Sequence, residues 1–137
     1  MPSTDSDIRF AIMRLSRQIK QQKAEGELSD GQRSVLFFLL DHGAQSLGSL
    51  SERDRVTPPS MNRTVGALVE LGLVTRDQAT DDARKVRIDL TEEGRRVILQ
   101  TRRKREKWFS ERMSQLTPEE RAAILAAIPA LIKLAEA

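Results

Sequence analysis

Residues 50–94 read LSERDRVTPPSMNRTVGALVELGLVTRDQATDDARKVRIDLTEEG, and the pattern changes period twice inside that stretch. A short helix capped by Ser46 and carrying Leu47 and Leu50 runs to about Arg53. Thr57-Pro58-Pro59-Ser60 then opens another. Thr57 can accept a hydrogen bond from a free backbone N–H, and Pro58 suits the first helical position, where no N–H is needed. Met61, Val65, Leu68 and Val69 give this helix an apolar stripe, and Gly72 closes it. The period then drops to two. Leu73 to Asp77 reads as a strand and Gln78 to Ala83 as a polar turn. Val86, Ile88 and Leu90 alternate with Arg87 and Asp89 as in a half-buried strand. A β-hairpin with a charged tip is therefore predicted after the helix pair. Thr91-Glu92-Glu93-Gly94 restores the helical pattern, with acids where the positive end of the helix dipole favours them.

Upstream, Ile8, Ile12, Leu15 and Ile19 recur at three- and four-residue steps and predict an amphipathic helix over 5–25, ended by Gly26. Ser29 and Gln32 have capping-box spacing for a second helix. It runs through Val35, Leu36, Phe37, Leu39 and Leu40, apolar nearly all round and so the expected centre of the core, with Gly43 as its stop. Downstream, the helix begun at Thr91 is expected to reach about Gln115. Thr117-Pro118-Glu119-Glu120 starts a last helix carrying Ile124, Leu125, Ile128, Leu131 and Ile132. Pro129 lies inside it and should kink or shorten it. The expected order is four helices, a hairpin and two helices: a mainly α fold with a small β-hairpin, without repeats or linkers.

Composition narrows the function. The chain has 137 residues, enough for one domain, and its 39% hydrophobic and 31% charged residues fit a soluble protein. No apolar run approaches the roughly 20 residues that span a bilayer. Met1 to Asp7 is polar and acidic, unlike a signal peptide, so the cytoplasm is the expected compartment and no membrane partner is expected. The absence of cysteine excludes disulfides, thiol sensing and thiolate metal sites. The one histidine, His42, falls at a predicted helix end and reads as a capping or surface residue. Without a nucleophile–base pair, a metal-ligand cluster or a phosphate-binding glycine loop, no enzyme activity, metal or cofactor is expected. The net charge of +3 does not by itself point to nucleic acid. Arg53, Arg55 and Arg63 nevertheless lie close together, followed by Arg76, Arg84, Lys85 and Arg87, which read as a phosphate footprint or as solvated charges. The run Arg102, Arg103, Lys104, Arg105 and Lys107 would face all sides of a helix, so it reads as solvated surface.

Four features of Leu50–Gly94 together resemble the MarR family of bacterial transcription regulators. They are a short helix ending near Arg53 and Val56; Thr57-Pro58-Pro59-Ser60-Met61 with Arg63; Leu71-Gly72-Leu73-Val74 leading into a strand; and Asp82-Ala83-Arg84 ahead of Leu90-Thr91 and Gly94. The resemblance implies a winged helix-turn-helix with N- and C-terminal dimerisation helices. The whole chain, 1–137, would be one such domain, with the DNA-binding region at about 29–94 and dimerisation helices at 5–25 and 95–137. Members often carry Leu and Gly where this chain has Asp54 and Arg55. Losing that Gly removes the cheapest route to a positive φ, so another turn geometry is expected there.

In a helix-turn-helix the second helix enters the major groove of double-stranded DNA. Thr57, Ser60, Asn62 and Arg63 are its polar residues within reach of DNA. Pro59 can meet a thymine methyl, and Arg63 can bind guanine or phosphate. The hairpin would be the wing. The resemblance implies that Arg84 enters a minor groove and that Asp82 orients nearby arginines, with Arg76 as its plausible partner. Lys85 and Arg87 read as phosphate contacts or solvated residues. The terminal helices carry apolar stripes that one small winged domain cannot bury. Leu15, Ile19, Ile124, Ile128 and Leu131 are therefore candidates for the interface of a homodimer, which would read a palindromic site. Trp108 and Phe109 are candidates for lining a pocket for a small aromatic acid that releases DNA, as many MarR-like proteins do. The expected function is sequence-specific transcription regulation, with repression the family default. The alternative on the same fold is a protein-interaction module.

Overall fold

Hydroxyl side chains start the helices. The computed structural model describes residues 4–24, 26, 28–79 and 82–136, and at 78, 79 and 82–85 it describes the backbone only. Its elements are α1 (Asp5–Gln21), α2 (Asp30–His42), β1 (Gln45–Ser46), α3 (Leu47–Asp54), α4 (Pro58–Glu70), β2 (Val74–Ala79), β3 (Asp82–Leu90), α5 (Glu92–Met113) and α6 (Pro118–Ala135). Each helix begins on a Ser or Thr whose hydroxyl accepts a hydrogen bond from a first-turn N–H: Thr4, Ser29, Ser46, Thr57, Thr91 and Thr117. At Ser29 and Thr117 the side chains of Gln32 and Glu120 return the bond, which completes both capping boxes. The fold class expected from sequence is borne out.

The chain divides into two compact units, residues 23–103 and residues 1–22 with 104–137. The first holds the sheet. β1, β3 and β2 lie in that order, all antiparallel, so the hairpin gains a third strand that the sequence reading lacked. Gln45 pairs with Ile88 and Ser46 with Arg87. The two long strands also extend into the expected turn, through Ala79 and from Asp82. The core joins Val35, Leu36 and Leu39 of α2 to Leu50, Met61, Val65 and Leu68 of the helix pair, Leu73, Val74 and Ile88 of the sheet side, and Ile98 of α5. All are at most 6% exposed. Val69, read as part of the α4 stripe, is 38% exposed and lies outside this core.

Two helices of this unit end in the same backbone motif. At the end of α4, Gly72 has φ 75°, its N–H donates to the Val69 carbonyl at 3.0 Å, and Leu73 N–H donates to Leu68 at 3.0 Å. At the end of α3, Arg55 has φ 54° and ψ 44°, its N–H donates to Glu52 at 3.2 Å, and Val56 N–H donates to Ser51 at 3.1 Å. Both are Schellman caps, which place a left-handed residue after the helix. The expectation of another geometry at Arg55 is thus corrected: the turn keeps the left-handed form without Gly, at a strain of about 1–3 kcal/mol. The two backbone bonds hold it there.

Gly94 fixes the base of the hairpin to α5. A Cβ there would lie 2.0 Å from the Leu73 carbonyl oxygen. That oxygen accepts from Thr91 N–H at 3.1 Å, and the Thr91 hydroxyl donates to the Gly72 carbonyl at 2.7 Å.

In the other unit, α1 and α6 bury no residue. Helix α1 stops at Gln21, four residues short of the expected end, and Gln22 is extended. Lys23 and Ala24 are good helix formers, but Ala24 N–H takes a tertiary partner, donating to the buried Thr101 hydroxyl at 3.2 Å. Pro129 does not shorten α6, which continues to Ala135. The basic run of α5 also departs from expectation. Arg102 pairs with Asp41 at 2.9 Å, and Arg105 donates to the Gln22 carbonyl at 3.1 Å, so two of its residues support the fold. Among the described residues no helix is long and apolar enough to cross a membrane.

Candidate nucleic-acid interface

Helix α4 is amphipathic in a way that commits one face to the core. Met61, Val65 and Leu68 are at most 2% exposed. The opposite face then carries Thr57, Pro59, Asn62 and Arg63, all exposed, with Ser60 half-buried between them. These are the residues singled out from sequence, and one stretch of helix brings them together. Thr57 has a second task as the cap, accepting from Ser60 N–H at 3.2 Å. Arg63 makes no hydrogen bond or ion pair with a described residue.

The field at this end of α4 favours anions. Its first turn holds no acidic residue, and helix N-termini carry partial positive charge. Of the two acids of α3, Glu52 is exposed to solvent, and Asp54 is engaged by Arg53 at 3.4 Å and by the Ser34 hydroxyl at 3.2 Å. Arg53 also lies over the Phe38 ring at 4.4 Å, which anchors it to α2. Phe38 packs its other neighbour, His42, at 4.7 Å between centroids. His42 is the exposed last residue of α2, consistent with a surface position.

Arg76 of β2 reaches back to α4. Its guanidinium donates to the Asn62 carbonyl at 3.4 Å. It therefore ties the hairpin to the exposed helix, a role the sequence did not suggest because the two positions lie 14 residues apart. Arg87 is exposed on β3, with Asp77 as its register partner on β2 and Ser46 on β1. The expectations for Asp82, Arg84 and Lys85 concern side chains outside the described residues. Their backbone belongs to β3.

The remaining candidates lie away from α4 in sequence. Leu15, Ile124, Ile128 and Leu131 are each 41–45% exposed, and Ile19 is half-buried. Leu15, Ile19 and Leu131 line an apolar groove of about 560 Å³ together with Ile12 and Leu134. Trp108 and Phe109 are both half-buried on α5, and the Arg112 guanidinium lies 5.0 Å from the Trp108 ring centre. Among the described residues there is no cluster of three or more His, Asp or Glu that could hold a metal.

Comparison with known proteins gives a consistent result. The family model described as MarR family matches residues 28–86. An HTH-type transcriptional regulator of Mycobacterium tuberculosis is 35% identical over 131 residues, covering 96% of this chain and 92% of that protein. The HTH-type transcriptional repressor MdtR of Bacillus subtilis is 29% identical, covering 96% of this chain and 86% of its own. Among solved structures, a MarR family protein from Bacillus stearothermophilus superposes with a TM-score of 0.82 at 22% identity, covering 95% of this chain and 91% of that one.

Proposed function

The chain belongs to the MarR family of transcriptional regulators, and from that premise we propose that it is a cytoplasmic repressor that binds a palindromic operator as a homodimer. The observation that carries this reading is the division of α4. Its apolar side is locked in the core, while Thr57 at the cap, Pro59 in the acid-free first turn, and Asn62 and Arg63 in the second stand exposed. A helix presented this way can enter a major groove, where an arginine discriminates guanine through two parallel hydrogen bonds. Arg84, Lys85 and Arg87 of the wing would hold the flanking phosphates or an adjacent minor groove. Repression is supported by the similarity to MdtR of Bacillus subtilis, a transcriptional repressor.

Dimerisation is supported by the exposed apolar side chains of α1 and α6. Ile8, Ile12, Leu15, Ile124, Ile128 and Leu131 are each more than 40% exposed, an arrangement that a second copy would bury. Trp108 and Phe109 are proposed to line the site of a small aromatic acid whose binding releases DNA. Their half-burial leaves ring surface for a ligand to cover. Titrating aryl carboxylates while following Trp108 fluorescence and DNA release tests this part. No compound acting on both readouts would remove it.

The DNA-binding reading is tested by fluorescence anisotropy with duplex from the protein's own upstream region, beside a scrambled duplex, across a salt series. The expected result is preference for the native duplex and affinity that falls steeply with salt. Absence of binding to either duplex at low salt would refute it.

A further inference from the structure

This inference rests on the DNA-binding reading and adds a residue to it. The chain ends α3 and α4 with the same Schellman cap, yet it uses Gly72 in one and Arg55 in the other. Arg55 is the one non-glycine residue with positive φ among those described. Gly would hold that turn with less strain. The arginine side chain returns nothing to the fold: it is exposed and makes no hydrogen bond or ion pair with any described residue. Arg53, two positions earlier, stacks on Phe38 and pairs with Asp54. Strain kept at an unengaged, exposed cation points to a partner outside the chain.

Position says which partner. Arg55 stands two residues before Thr57, the cap of α4, at the entrance to the exposed turns of that helix. It borders an open cleft of about 650 Å³ lined also by Ser46, Ser49, Glu52, Val56 and Pro58. Glu52 is the acid in that lining, so Arg55 supplies the positive charge that lets an anion approach. We propose that Arg55 is a phosphate contact, its guanidinium held by the left-handed turn against the DNA backbone just ahead of the recognition helix. Such a contact fixes register and orientation without reading a base.

The test compares the wild type with Arg55→Gly and Arg55→Lys, using a random-sequence duplex so that no operator is needed. Arg55→Gly is expected to melt at or above the wild-type temperature while binding the duplex about tenfold more weakly at low salt. Its plot of log affinity against log salt should be shallower by about 0.9 per lost contact. Arg55→Lys, which keeps the charge, should retain most of the wild-type slope. Equal affinity and slope for wild type and Arg55→Gly would overturn the assignment while leaving DNA binding intact. A lower melting temperature for Arg55→Gly would overturn it as well, because the arginine would then serve the fold. If the wild type itself binds no duplex, the DNA-binding reading fails first and Arg55 falls with it.

Discussion

Replacing Gly94 with alanine sets two physical effects against each other. Gly94 lies in the first turn of a long helix, where alanine's better helix propensity is worth up to about 1 kcal/mol. Against that, the new Cβ would stand 2.0 Å from the Leu73 carbonyl oxygen and 2.9 Å from its carbon. Both are backbone atoms, so no side chain can swing aside. Opening the gap to ordinary contact moves α5 and the start of β2 apart by about 1 Å or more. That displacement breaks the Thr91–Leu73 and Thr91–Gly72 hydrogen bonds, together about 2 kcal/mol. It also disturbs Leu73, which is 6% exposed, at an overpacking cost of about 1–3 kcal/mol. The net expectation is a destabilisation of about 2–4 kcal/mol, or a fall in melting temperature of roughly 6–12 °C. Thermal unfolding followed by far-UV circular dichroism measures it. A melting temperature equal to or above the wild type would mean that propensity wins, and the account of how the hairpin is held would be wrong.

Other perturbations separate fold from function. Arg63→Ala should leave the melting temperature unchanged and weaken operator binding by about 1–3 kcal/mol if the residue reads a base, as anisotropy would show; an unchanged affinity removes Arg63 from the interface. Leu68→Ala, at 0% exposure, should cost about 2–5 kcal/mol in chemical denaturation. Ile128→Asp on the exposed face of α6 should shift the protein to monomer in analytical ultracentrifugation with little change in helix content, and a persisting dimer would place the interface elsewhere. Glu93 accepts a hydrogen bond from Arg96 at 3.0 Å, and that bond lowers the carboxyl pKa, against an opposing desolvation and with the arginine's charge adding to the lowering. A lowered folded-state value means the pair stabilises above the unfolded carboxylate value and loses that effect as pH falls through the folded one. Thermal melts of Glu93→Gln should therefore differ slightly from wild type at neutral pH and converge in acid.

Local chemistry was legible in the sequence and tertiary chemistry was not. Ser29 with Gln32, Thr57 with Pro58, and Thr117 with Glu120 announce their helices because the capping partners lie three residues apart. Met61, Val65 and Leu68, and the alternation of Val86, Ile88 and Leu90, report which face meets the core through period alone. Strand β1 was missed because Gln45 and Ser46 become a strand only by pairing with Ile88 and Arg87, more than 40 residues away. The early end of α1 has the same kind of cause, since Thr101 captures the Ala24 N–H across 77 residues. Arg55 misleads differently: composition argues against a left-handed residue there, and the two backbone bonds of the cap override it. Within the candidate interface, the exposed residues of α4 were readable, while the Arg76 bridge to Asn62 depended on how the hairpin folds back.

In the proposed complex, two copies present α4 to successive major grooves. Hydroxyl-radical footprinting of the protein on its own upstream DNA tests it most directly. Two symmetric protected half-sites are expected, their centres one helical turn apart, about 34 Å, on an inverted repeat. Protection of a single half-site, or none in the range where the wild type is folded and dimeric, would contradict it.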